Sequence, residues 1–182
     1  MWGLGQLPEL KVGDCLAFEA EGWQKAAVRI IGAKSWHWAM CGERLVDDEI
    51  SVGDHSVADS ISKGITTHLL SEYRNRHMRV YRPKLLPSTQ EELTPRLIKQ
   101  YCYWGDQRYD WLGVLMVAIW CLLRKLGCHV EWWVHNSHRF WCLEFNNTVW
   151  RDLGYPLVPE DEPPYPTNME NSPMLELIWS NF

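Results

Sequence analysis

Apolar and polar residues alternate over short stretches in the first half of the chain, as they do in β-strands with one buried face. The alternation predicts strands at about 15–19, from Trp36 onward, at 49–52, at 56–61 and at 76–81. Helical spacing over 24–31, followed by Gly32, predicts a helix that ends in a glycine cap. A second short helix is predicted at 67–73. The first half is therefore predicted to form a small, mostly antiparallel sheet.

The second half has the longer period of amphipathic helices. A capping-box-like start at Thr89, with Pro95 in the first turn, predicts a helix that ends near Trp104-Gly105. Further helices are predicted over 111–126 and over 141–153, the latter stopped by Gly154-Tyr155-Pro156. The proline-rich stretch 159–173 is predicted to be extended chain on the surface, with 174–179 docking back as a last short segment.

The run Trp111–Leu123 contains only apolar residues and glycine, and Arg124-Lys125 follows it. Its thirteen residues fall short of the roughly 20 that a membrane-spanning helix needs. Two interpretations remain open: a helix buried in the protein, or a helix in peripheral contact with membrane or lipid.

Length and charge exclude some classes of protein. The 182 residues suit one α+β domain over 1–182, with a proline-rich tail at about 155–182. The net charge of -5 comes with scattered rather than clustered Lys and Arg, so we expect no nucleic-acid partner. Oligomeric state is not predicted.

The six cysteines lie far apart, without a CxxC pair or zinc-finger spacing, so we expect no metal, no cofactor and no disulfide framework. The amino-terminal stretch lacks the features of a secretory signal, which predicts a cytoplasmic protein. A virion protein, or one released on lysis, would also lack such a signal.

Cys142 stands at the start of the helix predicted over 141–153. A helix amino terminus offers free N–H groups and the positive end of the helix dipole, which favour a thiolate and a developing oxyanion. His37, on an early strand, is a candidate base. The alternatives without catalysis are that Cys142 is an ordinary core residue and that His37 is an ordinary surface residue. Several of the twelve tryptophans, Trp36 and Trp38 among them, adjoin polar residues and are predicted to line a groove; large core residues are the alternative.

Six short motifs in order resemble those of the permuted papain-like (NlpC-like) fold, in particular its YiiX-like hydrolases. They are Gly13-Asp14-Cys15-Leu16-Ala17-Phe18, Ser35-Trp36-His37-Trp38-Ala39-Met40, Val57-Ala58-Asp59-Ser60 with Gly64-Ile65, Arg79-Val80-Tyr81-Arg82-Pro83, Tyr109-Asp110, and Trp141-Cys142-Leu143-Glu144-Phe145. The resemblance covers about residues 10–178 and implies an antiparallel sheet or barrel packed against helices.

The resemblance also implies Cys142 as nucleophile, His37 as base and Asp59 as the residue that orients His37. Asp59 stands where the group commonly has glutamate, and Asp54 and His55 are its rivals for that role. Glu144 is interpreted as structural support for the helix start. Residues expected at the substrate are Trp36, Trp38, Tyr109 and Trp141.

The implied function is a cysteine hydrolase that cleaves an amide through an acyl-enzyme on Cys142. Its substrate would be a cell-wall peptide, an isopeptide or an acyl-lipid amide. One alternative is an acyltransferase or thioesterase acting on lipids. Another is a non-catalytic interaction or virion protein that retains the fold.

Overall fold

The computed structural model describes residues 7–22, 24–44, 54–61, 63–85, 87–103, 107–132 and 139–181. Its fold is mixed α+β, with one antiparallel sheet and helices packed against it, as predicted. The sheet strands are β1 (Cys15–Glu19), β2 (Ser35–Arg44), β3 (His55–Ile61), β4 (Gly64–Leu69), β5 (Met78–Pro83) and β8 (Leu175–Ser180). Their order is β4-β3-β2-β1-β5-β8, and every neighbouring pair is antiparallel.

The helices come mainly from the second half of the chain. They are α1 (Gln24–Ile31), α2 (Pro87–Tyr103), α3 (Trp111–Lys125), α4 (Cys142–Asp152) and α5 (Pro166–Glu170), with a 3₁₀ helix at Leu70–Tyr73. Two short strands, β6 (Arg108–Tyr109) and β7 (Arg139–Phe140), pair in parallel just before α3 and α4.

Strand alternation divides the core into two layers. In β1, Cys15 and Ala17 join the cluster beneath α4, whereas Leu16 and Phe18 join the cluster on the opposite face. Both faces of the central strands are therefore covered, which explains why four of the five residues of β1 are buried.

Helix α4 lies against β2 and β3 and also contacts α2. It is enclosed on all sides: each of its residues from Cys142 to Trp150 is buried. Burial of side chains such as Phe145 and Trp150 stabilises the fold by roughly 1.5–3 kcal/mol each. The first residue of α4 is consequently held in place by the core.

The structure confirms β1, α1, α3 and α4 within a residue or two of their predicted bounds. Gly32 and Gly154, at φ 77° and 90°, adopt the left-handed conformation expected where a helix ends. The strand predicted at 49–52 lies outside the described residues, as does Trp104-Gly105.

Three local predictions are wrong. The stretch 67–73 is divided between strand β4 and the 3₁₀ helix, because pairing with β3 extends through Leu69. Pro95 lies inside α2 rather than in its first turn, since the helix begins at Pro87. The proline-rich stretch is not wholly extended, because Pro166 begins α5, where a first-turn proline loses no helical hydrogen bond. The last segment does dock back, as edge strand β8.

Candidate active site

Cys142 is the first residue of α4, and Trp141 before it is extended, at φ -88° and ψ 168°. The Phe145 N–H donates to the Trp141 carbonyl at 2.9 Å, which closes the first turn. The N–H groups of Cys142 and Leu143 precede this bond and have no acceptor within the helix. They present the positive end of the helix dipole beside the buried thiol.

The chain entering α4 is fixed through one carbonyl, that of Phe140 in β7. It accepts the Ser60 hydroxyl at 2.8 Å and the Asp110 N–H at 3.2 Å. Since Ser60 belongs to β3 and Asp110 caps α3, this carbonyl ties both elements to a point two residues before Cys142. Asp59, which precedes Ser60, is thereby held near the cysteine.

His37 lies on β2, where it is paired with Phe18 of β1. The start of β2 is anchored by Glu170 of α5, whose carboxylate accepts the Ser35 N–H at 2.6 Å. The His37 Nε2 lies 2.7 Å from Asp59 Oδ1, in an ion pair whose side chains are 16% and 1% exposed. Among the described residues, Oδ1 has no other partner. This contact leaves Nδ1 as the ring nitrogen not engaged by Asp59.

Burial alone would lower the pKa of His37, but the charges of Asp59 and Cys142, and hydrogen bonds to both, raise it from 6.5 to about 10. The imidazole therefore lies between carboxylate and thiol and holds a proton at neutral pH. The structure thus brings together the three residues predicted for catalysis.

Tyr73, at the end of the 3₁₀ helix, donates its hydroxyl to Asp59 Oδ2 at 2.7 Å. Its ring stacks on Phe18, with centroids 4.6 Å apart, and Phe18 in turn stacks on His37 at 5.9 Å. Burial, and then the charge of Asp59, raises the pKa of Tyr73, so the phenol stays a donor. Sequence reasoning missed Tyr73 because no local pattern links it to Asp59, fourteen residues earlier.

Two cavities meet near Cys142. The first, here called the apolar cavity, has a volume of about 100 Å³. It is lined by Cys142 and Leu143 of α4, Val117 and Cys121 of α3, Trp36, and Tyr165. Burial raises the pKa of Cys121 to about 11, against the charge of Lys125, which keeps this second thiol protonated.

The second cavity, here called the polar cleft, has a volume of about 530 Å³ and contains His37, Asp59 and Tyr73. Two ion pairs flank it: His68 Nδ1 lies 3.3 Å from Glu72 Oε2, and Arg76 Nε lies 3.0 Å from Glu21 Oε1. The reacting atoms therefore stand between an apolar compartment and a charged one.

Trp36 and Tyr109 line both cavities. Burial, followed by the charges of Cys142 and Asp59, raises the pKa of Tyr109, so its phenol remains a hydrogen-bond donor that faces the site. Trp141 lines the apolar cavity, and its indole N–H donates to the Pro164 carbonyl at 3.3 Å.

The prediction that Trp38 is partly exposed in the groove is wrong. Its side chain is fully buried, stacks on Tyr81 at 5.0 Å and donates to the Ser35 hydroxyl. Trp38 follows His37 on a strand, so its side chain points to the opposite face of the sheet, into the core.

The rivals of Asp59 have other partners. Asp54 Oδ1 accepts the N–H groups of His55 and Ser71, at 2.9 Å and 3.2 Å, and so holds the start of the 3₁₀ helix. His55 Nδ1 lies 3.5 Å from the thiol of Cys41. This second Cys–His contact is unsuited to nucleophilic chemistry, because burial and the charge of Asp14 raise the pKa of Cys41 far above its usual 9.

Glu144 is buried in the first turn of α4. Burial, and then the charge of Asp110, raises its pKa well above 4.5, although its carboxyl accepts the Trp141 N–H. That hydrogen bond closes the helix start from the other side, as in half of a capping box. The contact agrees with the interpretation of Glu144 as structural support.

Within the part of the chain that the structure describes, no group of three or more His, Cys, Asp or Glu side chains is arranged to hold a metal ion. No described helix is both long and apolar enough to cross a bilayer.

Comparison with known proteins yields a structural match and no sequence match. No protein-family model matches the chain, and neither does a curated protein. The structure is similar to the crystal structure of metalloprotein yiiX from Escherichia coli O157:H7 (DUF1105), with a TM-score of 0.66 at 12% identity. The match covers 94% of this chain and 98% of yiiX. The chain therefore shares the papain-like α+β fold of yiiX, as the sequence motifs predicted.

Proposed function

We propose that the protein is a cysteine hydrolase that cleaves an amide, with Cys142 as nucleophile, His37 as the proton carrier and Asp59 as the residue that orients His37. The observation that carries the proposal is an imidazole with a pKa of about 10 held between the Asp59 carboxylate and the Cys142 thiol, where α4 begins. The Cys142 sulfur is therefore buried, lies beside a charged imidazole and stands at the amino terminus of α4.

The first step moves one proton and forms one bond. His37 already holds the proton withdrawn from the Cys142 thiol, so the thiolate sulfur attacks the substrate carbonyl carbon to give a tetrahedral oxyanion. The Cys142 and Leu143 N–H groups stabilise the negative oxygen, and the Tyr109 phenol is suited to donate a third hydrogen bond. His37 then protonates the leaving nitrogen, the C–N bond breaks, and a thioester remains on Cys142.

The second step regenerates the starting pair. Water gives a proton to the neutral His37 as its oxygen attacks the thioester carbon, the C–S bond breaks, and the sulfur leaves as a thiolate beside the imidazolium. The product is a carboxylic acid. Asp59 stabilises the imidazolium in both steps and holds Nε2, so that Nδ1 serves the reacting atoms.

The two cavities favour an apolar acyl group and a polar leaving group. Cys142 opens into the apolar cavity, whereas His37, which must protonate the leaving nitrogen, lies in the polar cleft. An acyl-lipid amide matches this division better than a cell-wall peptide, which is polar on both sides of the bond cut.

The nucleophile can be tested with an electrophilic amide or vinyl-sulfone probe. We expect the parent protein to be labelled and Cys142→Ala to lose the label. Cys121→Ala is the matched control, because its thiol lines the same apolar cavity but is kept protonated. If Cys142→Ala is labelled as well as the parent, the proposal is wrong.

Turnover then distinguishes a hydrolase from a transferase. With fluorogenic acyl amides, His37→Ala should lower kcat on the order of a hundredfold or more, since a positioned acid–base group contributes about 10²–10⁴ to a rate. Release of the free acid supports hydrolysis. Transfer of the acyl group to an added amine or lysolipid, in place of water, would identify an acyltransferase instead.

A further inference from the structure

The outward surface of α3 is apolar along its whole length. Trp111, Leu112, Leu115, Ile119 and Leu122 are each 41–61% exposed, and Leu126, just after the helix, is 70% exposed. Their spacing of three, four and one residues places them along one side of the helix, here called the outer stripe. A contiguous exposed patch of this kind marks an interaction surface.

The inner side of α3 is apolar as well. Val114, Val117, Ala118 and Cys121 recur at intervals of three and four and line the apolar cavity beside Cys142. A helix that is hydrophobic all round is normally covered on all sides. Among the residues that the structure describes, only those on the inner side of α3 pack against the protein, so its outer stripe needs a second apolar partner.

Basic residues stand at both ends of the outer stripe. Helix α3 contains no acidic residue and ends in Arg124 and Lys125, both exposed. At the other end, Arg108 and Arg139 are exposed and lie opposite each other in the pairing of β6 with β7, just before Trp111. Arg108, Arg139 and Lys125 therefore flank the stripe, whereas the Arg124 guanidinium lies over the buried Trp120 ring, in a pocket with Glu131, Asp161 and Glu162.

The length of α3 also matters. Its fifteen residues extend about 22 Å, short of the roughly 30 Å hydrocarbon core of a bilayer. A helix of this length, with a continuous apolar side, flanking cations and a tryptophan at one end, has the features of a helix that lies in the membrane interface.

We propose that the outer stripe of α3 docks the protein on the surface of an anionic lipid bilayer. The leucine side chains enter the apolar boundary of one leaflet, and the flanking Arg and Lys side chains meet anionic headgroups. In this position α3 separates the bilayer from the apolar cavity by the thickness of one helix. The inference that Cys142 cleaves an acyl group from a lipid rests on the proposed hydrolase function. The docking itself does not depend on that function.

The test is flotation of the full chain with vesicles of phosphatidylcholine alone, and of equal parts phosphatidylcholine and phosphatidylglycerol. We expect the protein to float with the mixed vesicles and less with the neutral ones. Leu115→Glu and Leu122→Glu should each lower the partition coefficient about tenfold or more. Each variant replaces an apolar side chain that would enter the bilayer with a negatively charged one. Changing Arg108 and Lys125 to alanine should lower binding to the mixed vesicles roughly fivefold for each cation removed.

Leu177→Glu is the matched control. Leu177 is 49% exposed on edge strand β8, whereas β6, just before α3, contacts β4 at the opposite edge of the sheet, so this variant should float as the parent does. Failure of the parent to float with either vesicle, or equal flotation of all variants, would overturn the proposal. So would a dimer in sedimentation that Leu115→Glu dissociates, since the outer stripe would then be covered by a second copy of the chain.

The catalytic proposal is tested separately from the docking proposal. Cys142→Ala should float with the mixed vesicles as the parent does, because its thiol lies on the inner side of α3. Leu122→Glu should still react with the electrophilic probe in the absence of lipid. Loss of flotation in Cys142→Ala would show that docking depends on the reaction centre rather than on the outer stripe.

Discussion

The Tyr73 hydroxyl donates to Asp59 Oδ2 at 2.7 Å, while the other oxygen of the same carboxylate lies 2.7 Å from His37 Nε2. Each oxygen of the buried Asp59 carboxylate therefore contacts a different side chain. A carboxylate with both oxygens engaged has little freedom to rotate, so Tyr73 acts on His37 through Asp59 and is a positioning residue.

Tyr73→Phe should therefore lower kcat by roughly fivefold to tenfold and leave KM nearly unchanged, because the lost hydrogen bond is worth about 1–1.4 kcal/mol and acts on His37 through Asp59. Steady-state kinetics on an acyl amide gives both constants. Tyr103→Phe is the control, since that ring is 70% exposed. A rise in KM at constant kcat would place Tyr73 in substrate binding instead.

Asp59→Asn removes the charge that, after burial, has the largest influence on His37. The pKa of His37 should then fall below about 10, and the alkaline limb of the pH–rate profile should move to lower pH with it. The maximal rate should fall on the order of a hundredfold or more, because the amide no longer stabilises the imidazolium. The His37 ring signals in an NMR titration report the pKa directly. An unmoved titration would mean that Asp59 does not set the ionisation of His37.

Glu144→Gln should change stability in a way that depends on pH. Burial raises the folded pKa of Glu144 above 4.5, so the folded state holds the proton longer than the unfolded state does. As pH rises from about 4.5 towards the raised pKa, the parent loses stability. The Glu144→Gln variant has no carboxyl group to ionise, so it loses no stability over this pH range. Its side-chain carbonyl can still accept the Trp141 N–H.

Urea unfolding at pH 5 and pH 8 checks this prediction. The stability of Glu144→Gln relative to the parent should be greater at pH 8 than at pH 5. Glu160→Gln, at an exposed position, should show no such trend. A difference that is the same at both pH values would contradict a buried carboxyl with a raised pKa.

Gly113→Ala tests the packing that supports the nucleophile. A methyl group at Gly113 would overlap the Trp141 ring and the Asp110 carboxylate. We expect a loss of about 1–3 kcal/mol in the free energy of unfolding and slower labelling of Cys142, since Trp141 must move. Leu112→Ala on the same helix, with its side chain 60% exposed, should change labelling little. Unchanged labelling and stability in Gly113→Ala would show that the Trp141 ring can move aside without displacing Cys142.

Local patterns were sufficient for the elements that carry the candidate triad. Strand alternation and helical spacing depend on neighbours within a few residues, which is why the start of β2, both ends of β3 and both ends of α4 were predicted within one residue. The same local reasoning failed at 67–73, where pairing with β3 decided between strand and helix. It also failed at Trp38, which adjoins the polar His37 in sequence but whose side chain points into the core.

The sequence by itself determined which residues have the chemistry: a thiol at a helix start, an imidazole on an early strand and a carboxylate on the next. Their order along the chain, read through the family motifs, predicted that they belong together. Only the tertiary structure decided what surrounds them: the Tyr73 hydroxyl on Asp59, the apolar cavity at Cys142 with the polar cleft at His37, and the exposed outer stripe of α3. The physical reason is that hydrogen bonds, cavities and exposed surfaces form between segments far apart in sequence, which local periodicity does not encode.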